Sequence, residues 1–179
     1  MLALRQSGKA STIGISNFRA GDIKLLGNNI KEFSLNEVPY SLLDRSYEGE
    51  TLSLCKKTDM QYMAFSPTAQ GLLARPMKTE DLEMPTRKMH HLFQSTIYPK
   101  AKEVWETVRI IANELDCNPI EVAVAWVLKQ ENIFTAIVGS RKPEQVEEFA
   151  PAGDLELSQE HLARLTEASN AFPAVKVGD

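Results

Sequence analysis

Apolar and polar positions alternate along this chain between two regimes. Four short apolar runs, 12–16, 34–40, 62–66 and 135–140, are rich in β-branched or aromatic residues and each ends on turn-forming residues, so each is predicted as a strand. Between them the period lengthens to that of a helix. Ala101–Leu115 sets Val104, Trp105, Val108, Ile111, Ala112 and Leu115 on one face, at spacings of three and four. Asn118-Pro119-Ile120-Glu121 then opens a helix over 120–130, with Asn118 as N-cap, Pro119 at the first helical position and Glu121 closing a capping box. Shorter helical stretches lie at 22–26, ending at Gly27-Asn28-Asn29, and at 49–57, with Leu52 and Cys55 on one face. A last helix starts at Ser158 and runs through Leu162, Leu165 and Ala168. Residues 67–99 break the rhythm: Pro67, Pro76, Pro85 and Pro99 stand among mixed charges with weak periodicity. They read as a long loop after the third strand, either a lid or binding loop or a disordered connection.

Strands alternating with helices mean a parallel sheet with right-handed crossovers, hence an α/β fold. Four strands fit either an open doubly wound sheet or an arc of a barrel. The chain of 179 residues is sized for one domain spanning 1–179. Its 20 Lys and Arg against 24 Asp and Glu give a net charge of −4. That argues against a nucleic-acid protein. No apolar run approaches the roughly 20 residues of a membrane-spanning helix. The first residues lack the apolar core of a secretory signal. Cys55 and Cys117 stand alone, without the spacing of a disulfide framework or a zinc site. A reducing, cytoplasmic setting is expected, with no metal.

Candidate chemistry collects at the strand ends, where ligands bind in sheets and barrels of this class. Ser16 and Asn17 close the first strand with a hydroxyl and an amide, and Glu37 lies within the second. Phe65 and Ser66 end the third, presenting an aromatic ring. The fourth runs into Gly139-Ser140-Arg141-Lys142-Pro143. There Gly139 allows a close backbone approach, Pro143 starts a helix, and two cations flank its N–H groups. An aromatic face, an amide, a carboxylate and an anion cradle suit a flat heteroaromatic carboxamide that carries phosphates. They are equally the ordinary turn chemistry of four strand ends.

These residues resemble a known family. Thr12-Ile13-Gly14-Ile15-Ser16-Asn17-Phe18 is similar to the fifth-strand motif of aldo-keto reductases, and 37–45 (Glu-Val-Pro-Tyr-Ser-Leu-Leu-Asp-Arg) to the sixth. Residues 64–73 (Ala-Phe-Ser-Pro-Thr-Ala-Gln-Gly-Leu-Leu) resemble the seventh, and 138–148 the eighth with its phosphate-binding turn. The resemblance covers nearly the whole chain. It implies half of a (β/α)8 TIM barrel, strands five to eight, that binds NADP in an extended pose. By it, Ser16 and Asn17 hold the nicotinamide carboxamide, and Phe65, with Ser66 beside it, replaces the usual Tyr that stacks on the ring. Gly139, Ser140, Arg141 and Lys142 meet the phosphates, the two cations favouring NADP over NAD. Gln145 and Glu148 lie on the cofactor side of the following helix. Glu37 stands where Gln is usual, so it accepts a hydrogen bond but cannot donate one. Phe149 stands where an adenine-reading Asn is common, and either stacks on the adenine or packs in the core.

The family's catalytic Asp, Tyr, Lys and His belong to the first half of the barrel, which the resemblance leaves outside this chain. None of Tyr40, Tyr47, Tyr62, Tyr98, His90, His91 or His161 carries their sequence context. His90 and His91 are expected in solvent, and no catalytic residue is assigned. The expected activity is therefore that of a parent enzyme reducing a small carbonyl compound, with this chain inactive alone. The alternatives are a non-catalytic nucleotide-binding module and a truncated fragment without independent activity. Two open strand edges predict self-association.

Overall fold

The computed structural model describes residues 1–173. Strands β1 (Gly14–Ser16), β2 (Leu35–Pro39), β3 (Gln61–Phe65) and β4 (Ile133–Ile137) pair in parallel in that order. Helix α1 (Leu2–Gln6) precedes β1; α2 (Ala20–Leu25) and α3 (Glu50–Lys57) connect the first three strands. The third crossover holds two short helices, α4 (Thr79–Leu82) and α5 (Pro85–Lys88), then α6 (Tyr98–Glu114) and α7 (Pro119–Leu128). After β4 come α8 (Pro143–Phe149) and α9 (Gln159–Ala171). The architecture is α/β, a run of parallel βα units of the kind that builds part of a (β/α)8 barrel. No helix among the described residues is long and apolar enough to cross a membrane.

Local chemistry sets the helix starts. The Asn118 N–H donates to Glu121 Oε1 at 3.0 Å with Pro119 in the first turn of α7, the expected capping box. Ser158 Oγ accepts from the His161 N–H at 3.1 Å and begins α9. Helix α6 begins three residues earlier than the apolar face suggests, because Pro99 fits its first turn.

The sheet is covered on one side. Asn36, Val38, Tyr62 and Ala64 are buried, and the last three join core clusters formed with Ile23 and Cys55, or with Val122 and Trp126. Their neighbours Leu35, Glu37, Pro39, Met63 and Phe65, on the other face, are only half-buried. Parallel sheets ordinarily have both faces covered. Here the second face and the outer edges of β1 and β4 are without partners among the described residues. An irregularity between Tyr62 and Met63, which face Ile133 and Thr135, displaces Phe134 and leaves it 60% exposed.

Candidate rim at the strand ends

Parallel strands deliver all their C-terminal ends to one rim, so topology alone gathers the residues singled out from sequence. Ser16 pairs with Glu37, and Glu37 with Met63, so the three side chains stand on the open face in neighbouring strands, about 5 Å from strand to strand. One pleat nearer the rim, Phe65 pairs with both Pro39 and Ile137. A cavity of about 280 Å³ lies elsewhere, beside Leu42, Arg45, Glu48 and Phe172, and one of about 90 Å³ beside Leu72, Tyr98 and Trp105.

The turn after β1 is held at several points. Asn17 has a left-handed backbone, with φ of 59°. Its N–H donates to the Glu37 carbonyl at 2.8 Å, and its Nδ2 donates to Ser16 Oγ at 3.1 Å. Ser16 Oγ donates in turn to the Glu37 carbonyl at 3.3 Å. The fully buried Asn36 donates from Nδ2 to the Phe18 carbonyl at 2.8 Å and accepts from the Phe18 N–H at 3.4 Å. Ser66, directly after β3, is also left-handed, with φ of 53°. A serine is uncommon in this region and carries some strain, whereas asparagine enters it readily; Asp59, Ala69, Gln70, Asp116 and Asn132 are left-handed too. Sequence reasoning placed Ser16, Asn17 and Ser66 at turns but gave no sign of the strain. It also missed Asn36, whose signal was available: a polar residue on the same strand face as Val38 must find a partner when buried.

The last segment departs from expectation in two ways. Strand β4 covers Ile133–Ile137 and not 135–140, because its partner β3 ends at Phe65, opposite Ile137, and leaves Val138 onward nothing to pair with. Gly139, Ser140, Arg141 and Lys142 thus form an exposed turn. The N–H groups of Arg141 and Lys142, expected to face an anion, donate to Gln145 Oε1 at 2.7 and 3.2 Å. The cationic side chains, with Glu148 further along α8, remain exposed.

Three of the four tyrosines are already engaged as donors, and burial raises the fourth, Tyr98, above the ordinary phenol value. The Tyr40 hydroxyl donates to Glu48 Oε1 at 2.5 Å, Tyr62 to the Tyr47 carbonyl at 2.7 Å, and Tyr47 to the Asn17 carbonyl at 3.1 Å. Burial raises all three above the ordinary phenol value, Tyr40 and Tyr62 strongly. His90 and His91 are half-buried, not in solvent; their rings stack at 4.6 Å, and burial lowers the His90 value. His161 sits at the start of α9, accepting from the Ser158 N–H at 3.4 Å. Among the described residues no group of three or more His, Cys, Asp or Glu is placed to hold a metal ion.

The chain is 29% identical over 169 residues to the NADH-specific methylglyoxal reductase of Escherichia coli, covering 94% of this chain and 52% of that protein. It is 30% identical over 183 residues to an uncharacterized oxidoreductase of Mycobacterium tuberculosis, covering 99% of this chain and 55% of the relative. The chain therefore spans about half the length of these curated relatives. Among solved structures, a glycerol dehydrogenase of Gluconobacter oxydans superposes with a TM-score of 0.84 at 22% identity, over 98% of this chain and 54% of that one. A thermostable aldo-keto reductase, Tm1743, does so with a TM-score of 0.67 at 21% identity, over 94% and 52%. These two likenesses are of fold. The model of the Aldo/keto reductase family matches residues 1–170, nearly all of the parallel βα array described above, and the chain belongs to that family.

Proposed function

We propose that this chain is the nicotinamide-dinucleotide-binding part of an aldo-keto reductase acting on a small carbonyl compound in the cytoplasm. The observation that carries the reading is the rim itself, where Ser16, Asn17, Glu37 and Phe65 come together beside two left-handed, non-glycine residues. The donor set fits the group. Ser16 and Asn17 offer a hydroxyl and an amide to a carboxamide, and Glu37 accepts from its NH2. Phe65, with Ser66 beside it, gives a flat apolar ring for a heteroaromatic face. Gly139 leaves room for a phosphate, since a Cβ there would meet nothing within 4 Å. Ser140, Arg141 and Lys142 supply a hydroxyl and two cations to phosphates, and Gln145 and Glu148 line the same side of α8.

When bound, the reduced cofactor supplies a hydride. The other requirement of carbonyl reduction is a proton donor, and the buried tyrosines described above do not offer one. The chain alone is therefore expected to bind cofactor without turnover. A second reading, a non-catalytic nucleotide-binding module, uses the same rim and is favoured by the same engaged tyrosines.

Arg141 and Lys142 incline the site to NADP, because a 2′-phosphate gains most from adjacent cations. Titration by Trp fluorescence tests this. Arg141→Ala is expected to weaken NADPH about tenfold while changing NADH less than about twofold, as for a lost charge-assisted contact. Equal losses for both cofactors would remove the 2′-phosphate assignment. Steady NADPH consumption with aldehydes by the purified chain would overturn its inactivity.

The unpartnered edges of β1 and β4 carry a further part of the proposal, association of this chain with a second copy. Exposed Phe134 and Ile137 on β4 and Val146 on α8 add apolar surface at one edge. Sedimentation at micromolar concentration is expected to show a dimer or larger species. A compact, stable monomer across that range would refute it.

A further inference from the structure

We infer that Tyr47 is a positioning residue for the nicotinamide end of the cofactor, acting through the backbone of Asn17; the inference rests on the reading of the rim proposed above. Tyr47 lies in the loop after β2, and its ring is buried. Its hydroxyl donates to the Asn17 carbonyl at 3.1 Å. Its own backbone carbonyl accepts from the fully buried Tyr62 hydroxyl at 2.7 Å. The Arg19 guanidinium lies over its ring, 4.4 Å from the centroid, and donates to the Ser46 carbonyl at 3.0 Å. The phenol is thus fixed at its backbone, on its face and at its oxygen.

What it holds is the peptide that follows the Ser16–Asn17 pair. Asn17 is left-handed, and its carbonyl oxygen belongs to the peptide it shares with Phe18. Three contacts hold the backbone around Asn17. The Asn17 N–H holds the Glu37 carbonyl, Asn36 brackets both polar groups of Phe18, and Tyr47 holds the Asn17 carbonyl. Tyr47 holds the oxygen of the Asn17–Phe18 peptide, and Asn36 holds its N–H. The Asn17 carboxamide, which donates to Ser16 Oγ, branches from the Cα that precedes this peptide, so a peptide held at both its polar groups fixes where that Cα sits. The hydroxyl of Tyr47 therefore sets where the Ser16–Asn17 pair presents its donors. It touches neither cofactor nor substrate.

The test is a ratio. Affinities of the wild-type chain and Tyr47→Phe are measured for NADPH and for 2′-phospho-ADP-ribose, which has the phosphates and adenosine but no nicotinamide. Tyr47→Phe keeps the ring and the Arg19 stacking. It is expected to weaken NADPH about five- to tenfold, the size of one neutral hydrogen bond, and to leave the tail compound unchanged. Partial unfolding would scale both affinities together, so the ratio survives a stability loss that a merely structural role would produce. Equal effects on both ligands, or none, would overturn the assignment of Tyr47 while leaving the rim reading intact. Failure of the wild type to bind either ligand would overturn the rim reading itself and this inference with it. As a ligand-free check, the Asn17 side-chain amide resonances are expected to shift or broaden in Tyr47→Phe. Unchanged resonances would count against the latch.

Discussion

Trp126→Ala is expected to destabilise the chain by about 3–5 kcal/mol, the usual cost of deleting a buried aromatic side chain. Trp126 is fully buried on α7, and its ring stacks on Tyr40 at 5.9 Å with an interplanar angle of 10°. Its Nε1 donates to Thr166 Oγ1 on α9 at 3.3 Å, and the Arg45 guanidinium lies 5.9 Å from its centroid. One side chain thus joins the end of β2, the loop beyond it and the last helix. Removing it leaves a cavity between three elements that cannot collapse together, because each is anchored elsewhere. Against a typical stability of about 5–15 kcal/mol, the variant should be largely unfolded or melt far earlier. Urea denaturation followed by circular dichroism reads the effect. A loss below about 1.5 kcal/mol would show that this core repacks.

The second large effect is expected from Asn36→Leu, at about 2–4 kcal/mol, with a change localised to the rim. The substitution roughly keeps volume on a buried strand face but removes both partners of Phe18. An unsatisfied buried donor or acceptor costs about 1–3 kcal/mol, and two are created here. The penalty falls on the turn that carries Asn17, so the Phe18 amide should exchange faster than the drop in global stability requires. A variant as stable as the parent, with Phe18 still protected, would show that water replaces the asparagine at no cost.

Much of this architecture was readable from residue pattern because the relevant forces are local. Strand residues announce themselves by β-branching, and Asn118-Pro119-Ile120-Glu121 encodes its own helix start. What was not readable depends on partners distant in the chain. The end of β4 is set by where β3 stops, some 70 residues earlier in sequence, so the run 135–140 placed it too late. The start of α6 was missed because Pro99 reads as a loop residue unless the apolar face beyond it is known to be packed. At the rim, residue types and order were legible. The left-handed backbones of Asn17 and Ser66, and the hydroxyl of Tyr47 that holds one of them, are tertiary facts. Gln145 belongs with them: its side chain takes up the very N–H groups that sequence offered to an anion.

The strand order has a consequence for how such a chain could be recombined. Each strand pairs only with its neighbour in sequence, β1 to β2, β2 to β3 and β3 to β4. The register among the four strands is therefore internal to the unit. Splicing it onto a foreign set of βα repeats would ask for a match at two strand seams and over the uncovered face of the sheet, while the ligand-facing rim would travel with the unit.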